Sequence, residues 1–99
     1  MGFFLNNANL SGAHLEGAVL LGAYLEGTNF YDAHLEGAVL LGAHLRRANF
    51  RDAHLEGASL VHAIGLTYEQ LCEAYGDGKT RLPEIITRPE HWPPLDRPT

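Results

Sequence analysis

Three histidines and three glutamates recur at matching intervals: His14 with Glu16, His34 with Glu36, and His54 with Glu56. One residue separates the members of each pair, and each pair returns twenty residues later. Imidazole and carboxylate together support two kinds of chemistry. They ligate divalent ions such as Zn²⁺, and they respond to pH, because stacked carboxylates repel and a protonated imidazole relieves the repulsion. A third reading is a solvated polar ladder copied along with the rest of the chain. Flat sheets seldom bring three ligands to one point, and neither HExxH nor CxxC occurs. The polar ladder is therefore the expectation, with no metal and no cofactor. The single cysteine, Cys72, has no His or acid at a motif spacing and is expected to be a buried apolar residue. The sequence holds no activated Ser or Cys arrangement, phosphate loop or carboxylate pair in a cleft. No catalytic residue is assigned, and the chain is not expected to be an enzyme.

What must hold these residues in place is visible in the repetition. Residues 8–62 divide into eleven groups of five, beginning ANLSG, AHLEG, AVLLG, AYLEG, TNFYD. The first position is Ala ten times and Thr once, at Thr28; the third is Leu nine times and Phe twice, at Phe30 and Phe50; the fifth is Gly seven times. FFLNN at 3–7 fits the same frame, with Phe3 in the Ala position. A period of five makes no stripe on an α-helix, where successive Leu would precess by roughly 140°. On a straight strand five is odd, so successive Leu would face opposite sides. The chain must bend within every group. First and third positions point inward together, and the fifth supplies a corner where Gly or Asp is tolerated.

Residues 13–32 and 33–52 agree at fifteen of twenty positions. Twenty is four groups of five, so the natural closure is a square coil with one group per side. Three such coils at ~4.8 Å spacing make a rod ~15 Å tall. Third positions then stack as Leu5/Leu25/Leu45, Leu10/Phe30/Phe50, Leu15/Leu35/Leu55 and Leu20/Leu40/Leu60.

The A-x-L-x-x frame, with Asn second in ANL, TNF and ANF, resembles the pentapeptide-repeat proteins over about 3–63. That resemblance implies a right-handed parallel quadrilateral β-helix, an all-β solenoid of about three coils, with a short C-terminal capping α-helix and an extended tail. The expected divisions are 1–63 for the solenoid, 64–78 for the capping helix and turn, and 79–99 for a Pro-rich tail packed on it. Thr67 and Gln70 have capping-box spacing, and Leu66 with Leu71 forms a hydrophobic staple. A helix is expected over about 68–75, burying Tyr68, Leu71, Cys72 and Tyr75, with Gly76 as its C′ stop. Phe3 is expected to plug the first coil, and Leu82, Ile85, Ile86 and Trp92 to pack on the rod.

Second and fourth positions face outward and form columns. Beside the His/Glu ladder lies an aliphatic face: Val19, Leu21, Val39, Leu41 and Val61, with Ser59. An apolar patch of this kind normally marks a contact. Residues 79–92 fold back over it, two molecules pair through it, or another partner covers it, and the first two can coexist. Another face stacks Tyr24 on His44 and Glu26 on Arg46, the latter an exposed ion pair. The last carries Asn9/Asn29/Asn49 as a structural stack, and Arg51 over Tyr31.

The expected function is therefore a non-catalytic structural or protein-interaction module whose partner is unknown, with a homodimer through the aliphatic face or the coil ends as one form. The resemblance adds an alternative, since some family members act on DNA gyrase as acidic mimics of duplex DNA. Against it, ~15 Å is under half of one ~34 Å duplex turn, and the net charge is −5. The same charge argues against binding nucleic acid or an anionic membrane. The start MGFFLNN has no basic n-region, and a cytoplasmic location is expected.

Overall fold

A computed structural model of the chain describes residues 2–96. Met1 and residues 97–99 lie outside it, and with them Pro98 of the expected tail. The bends occur where the fives require them. In each group the third-position carbonyl accepts from the N–H three residues on, as Leu10 does from Ala13 at 3.0 Å and Leu35 from Ala38 at 2.9 Å. The fifth residue takes a positive φ, +68° at Gly12 and +70° at Gly37, while the fourth does not. That sign pattern belongs to type II turns, where glycine carries no Cβ penalty.

Successive levels lie twenty residues apart and are paired in parallel. The first face stacks Phe4, Tyr24, His44 and Ile64; the second Asn9, Asn29 and Asn49; the third His14, His34, His54 and Tyr75; the fourth Val19, Val39, Ser59 and Arg81. Three bonds per group join one level to the next: Leu10 N–H to Asn29 O, Gly12 N–H to Tyr31 O, and Asn29 N–H to Ala8 O, at 2.8, 2.8 and 2.9 Å. With the turn bond, four of every five N–H groups are satisfied by backbone. The fourth-position N–H is the one left over, and this explains the asparagine stack. Asn9, Asn29 and Asn49 each accept that N–H through Oδ1, from Ser11, Tyr31 and Arg51. Asn49 Nδ2 also reaches Asn29 Oδ1 at 3.3 Å.

The interior is the stack of third positions lined by first-position alanines. Leu25, Phe30, Leu35, Leu40, Leu45, Phe50, Leu55 and Leu60 are all fully buried, each contributing about 1.5–3 kcal/mol by burial. Phe30 and Phe50 stack at 5.1 Å, 4° from parallel. Two first-position hydroxyls are buried as well, and both are satisfied: Thr28 Oγ1 donates to Leu5 O and Thr80 Oγ1 to Leu55 O, at 2.7 and 2.8 Å.

The ladder does not stop near residue 63. Ile64 pairs with His44, Tyr75 with His54 and Arg81 with Ser59, so three faces carry a fourth level. Helix α1, Tyr68–Cys72, takes the place of that level on the second face. It is shorter than the expected 68–75. Tyr75 donates to Ala53 O and accepts from Leu55 N–H, which requires extended backbone there. The capping box forms, with the Gln70 N–H donating to the Thr67 hydroxyl and the Thr67 N–H donating to Gln70 Oε1. Leu71 is the residue that α1 buries; Cys72 is half-buried and Tyr68 and Tyr75 are exposed, contrary to expectation. Gly76 is not the C′ residue, because the C-cap is Glu73. A Cβ at Gly76 would instead lie 2.4 Å from Trp92 Cε3, so the glycine makes room for the indole.

Side chains close the last level. First-position carbonyls normally accept from the level above. Gln70 Nε2 donates to Ala48 O at 2.9 Å, Trp92 Nε1 to Ala74 O at 2.9 Å, and Arg88 Nη1 to Thr80 O at 3.0 Å. Arg88 also lies 5.7 Å from the centre of the Trp92 ring. At the first level Phe3 is no plug: it is 52% exposed, and its carbonyl accepts from Tyr24 N–H. Among the described residues no helix is long and apolar enough to cross a membrane. The molecule measures 37 × 25 × 23 Å.

Candidate functional site

The third and fourth faces carry the two candidate surfaces. On the third, the level spacing brings like onto like. His14 and His34 stack at 4.8 Å, and His34 and His54 at 4.9 Å, within 5° of parallel. Tyr75 continues the column 4.9 Å above His54. Each histidine leans across its strand to its own glutamate: Nδ1 to Oε2 is 3.2, 3.3 and 3.4 Å for His14–Glu16, His34–Glu36 and His54–Glu56. The pairs grow more sheltered upward, His14 being exposed and His34 and His54 half-buried. Glu36 Oε1 and Glu56 Oε1 are shut off from solvent and accept no hydrogen bond.

The glutamate column ends at Asp77, which accepts from the Gly57 N–H at 3.0 Å and the Lys79 N–H at 2.9 Å. Burial, the largest single influence on the Asp77 carboxyl, pushes its pKa up. Hydrogen bonds from Gly57, Lys79 and Thr80 together outweigh it and hold the pKa below 3.8. The Glu16 carboxyl is also lowered, first by its own backbone N–H and then by His14. Both groups have folded pKa values below their unfolded ones. Their stabilisation is complete above the unfolded values of 3.8 and 4.5 and is lost as pH falls through the lower folded values. Asp77→Asn keeps an acceptor oxygen but removes the titration. Its melting temperature, followed against pH, is expected to fall less steeply below 3.8 than that of the parent. Parallel curves would show that Asp77 does not couple folding to protons.

On the fourth face the aliphatic residues lie together as the spacing requires. Val19 is 62% and Leu21 56% exposed, while Val39, Leu41 and Val61 are half-buried. Val19 and Leu21 at the foot of this face stay uncovered. Leu82 and Ile86 pack against the core cluster, and the groove they line includes Val61 but none of the lower four residues. Ile85, expected to pack, is 93% exposed. Elsewhere, Arg51 Nε reaches Glu73 Oε2 at 4.0 Å, and among the described residues no ion pair joins Glu26 to Arg46. Hydrogen bonding to Cys72 raises the Tyr68 phenol above its usual pKa.

The continuation of the columns through Tyr75, Asp77 and Arg81 was missed by spacing alone, because α1 adds residues between levels. The signal was nevertheless present: Ala74-Tyr75 and Thr80-Arg81-Leu82 repeat the opening of the five-residue group.

A family model described as pentapeptide repeats (8 copies) matches residues 4–40 and 28–64, together more than half of the chain. Among solved structures, a pentapeptide repeat protein from the Arabidopsis thaliana thylakoid lumen superimposes with a TM-score of 0.70 at 22% identity. The match covers 90% of this chain and 60% of that one, and shows a common fold. A pentapeptide repeat protein from the cyanobacterium Cyanothece 51142 matches at 28% identity with a TM-score of 0.42, over 94% of this chain and 57% of its own. The chain thus spans less than two thirds of either structure. A search of curated protein sequences returned no match. With its five-residue frame, its four-faced parallel ladder and the family match over 4–64, the chain belongs to the pentapeptide-repeat family.

Proposed function

We propose that the protein is a non-catalytic interaction module that contacts a protein partner through its fourth face. The supporting observation is the exposure of Val19 and Leu21 at 62% and 56% at the foot of a flat stripe continued by Val39, Leu41 and Val61. Such a stripe, on the order of a few hundred Å², is below the ~800 Å² per partner of a stable complex. It therefore suits a reversible contact, self-association included. The backbone behind it is tied to its neighbours at every level, so the side chains are presented with little ordering cost on binding.

Mimicry of duplex DNA lacks comparable support. Glu16, Glu36 and Glu56 each face an imidazole, and Arg46, Arg47 and Arg51 stand on the other faces.

Leu21→Lys distinguishes display from packing. Its unfolding free energy is expected to stay within about 0.5 kcal/mol of the parent, as for a surface site. Concentration-dependent association, measured by sedimentation equilibrium, is expected to weaken. A loss of stability on the scale of a core residue would show that the face is packed rather than offered. Association unchanged by the lysine would remove the face from the contact.

A further inference from the structure

We propose that the third face binds one divalent transition-metal ion of the Zn²⁺ class through Glu36, His54 and Glu56. This goes beyond the protein contact and stands on a different face. Ligand-capable atoms of the three side chains all lie within 4.8 Å of one another. Two ligands of a tetrahedral ion with bonds of ~2.05 Å stand ~3.3 Å apart, and His54 Nδ1 is 3.4 Å from Glu56 Oε2. The histidine and the glutamate of one level thus already hold the separation an ion needs. The third ligand, Glu36, comes from the level below.

The orphaned oxygens carry the argument further. Glu36 Oε1 and Glu56 Oε1 are shielded from water and have no donor. An anionic oxygen left so is costly, and two like charges one level apart add to the cost. A dication held by the two carboxylates offsets both. The imidazole is already oriented, with the His54 ring held between His34 and Tyr75 at 4.9 Å on each side. His34, in contact with Glu36 at 3.3 Å, is the outer partner that aims that carboxylate.

Binding takes the lone pair on His54 Nδ1. In a neutral ring protonated there, the proton reappears on Nε2 and none is released. An imidazolium must instead shed one to water.

The full chain, freed of metal with a chelator, is titrated calorimetrically with Zn²⁺ alone. One ion per chain is expected. Glu36→Gln, which preserves size, and His54→Ala should each weaken binding by at least about tenfold. His44→Ala, which removes an imidazole from the first face, should leave it unchanged. Far-ultraviolet dichroism checks that each variant remains folded, and Glu36→Gln decides if His54→Ala does not. No heat of binding overturns the proposal. So does affinity that survives Glu36→Gln, or that is lost equally in His44→Ala.

Discussion

Trp92→Ala is expected to lower the unfolding free energy by about 3–5 kcal/mol, the range for deleting a buried aromatic. The indole is 5% exposed, its ring lies against Gly76 and its Nε1–H closes the Ala74 carbonyl. Removal therefore combines lost apolar burial with the loss of one hydrogen bond at Ala74 O, where His91 Nε2 also lies at 3.1 Å. It also removes the surface on which the Arg88 guanidinium rests, while Arg88 itself closes Thr80 O. Unbound ladder carbonyls and exposed leucines at a rod end invite pairing with another molecule. The variant is thus expected to gain end-to-end association as well as lose stability. Trp92 is the only tryptophan, so urea unfolding must be followed by far-ultraviolet dichroism, alongside size measurement. A cost below about 1 kcal/mol, within the ordinary range of single substitutions, would show that residues 77–92 do not close the coil.

Phe50→Ala carries an effect of the same size for a different reason. Phe50 is 1% exposed and stacks on Phe30 in a column whose lower member is Leu10. Alanine leaves a cavity that the hydrogen-bonded levels cannot close by moving together, because their spacing is set by the backbone ladder. The cost is expected to be about 3–5 kcal/mol. Phe50→Leu, which restores the residue type used in most third positions, should recover most of it, ending within about 1.5 kcal/mol of the parent. A double-mutant cycle with Phe30→Leu isolates the ring–ring contact, expected at about 0.5–1.5 kcal/mol. Chemical denaturation provides all three numbers. Equal losses for Ala and Leu would mean that the column is held by stacking and not by volume.

The square coil was legible because its cause is local and repeated. A corner every five residues, with a small first position and a large third, leaves one way to hide leucine. Which residues stack was legible for the same reason: His34 lies over His14, and Phe50 over Phe30, because twenty residues make one circuit. The closing of the last level was not legible. Gln70, Trp92 and Arg88 satisfy carbonyls 22, 18 and 8 residues away, distances that no repeat specifies. Gly76 was misread because glycine after a helix usually marks its stop, whereas here the indole of Trp92 demands it. Ile85 was misread because hydrophobicity alone says nothing about which side of an irregular segment meets the core. At the candidate surfaces the sequence supplied membership of each column. It could not supply the 3.2–3.4 Å lean of each imidazole onto its carboxylate, nor the oxygens left without donors.

The departure of the upper register from twenty has a consequence of its own. His44 and Ile64 are twenty apart, His54 and Tyr75 twenty-one, Ser59 and Arg81 twenty-two, yet all three pairs keep parallel bonds. One extra residue enters where α1 replaces a side and one at the turn between Tyr75 and Arg81, while the sides that keep the ladder hold their length. Evolution or an engineer therefore has latitude to splice foreign loops into a vertex, while any deletion falling within a side would throw every later leucine out of its pile.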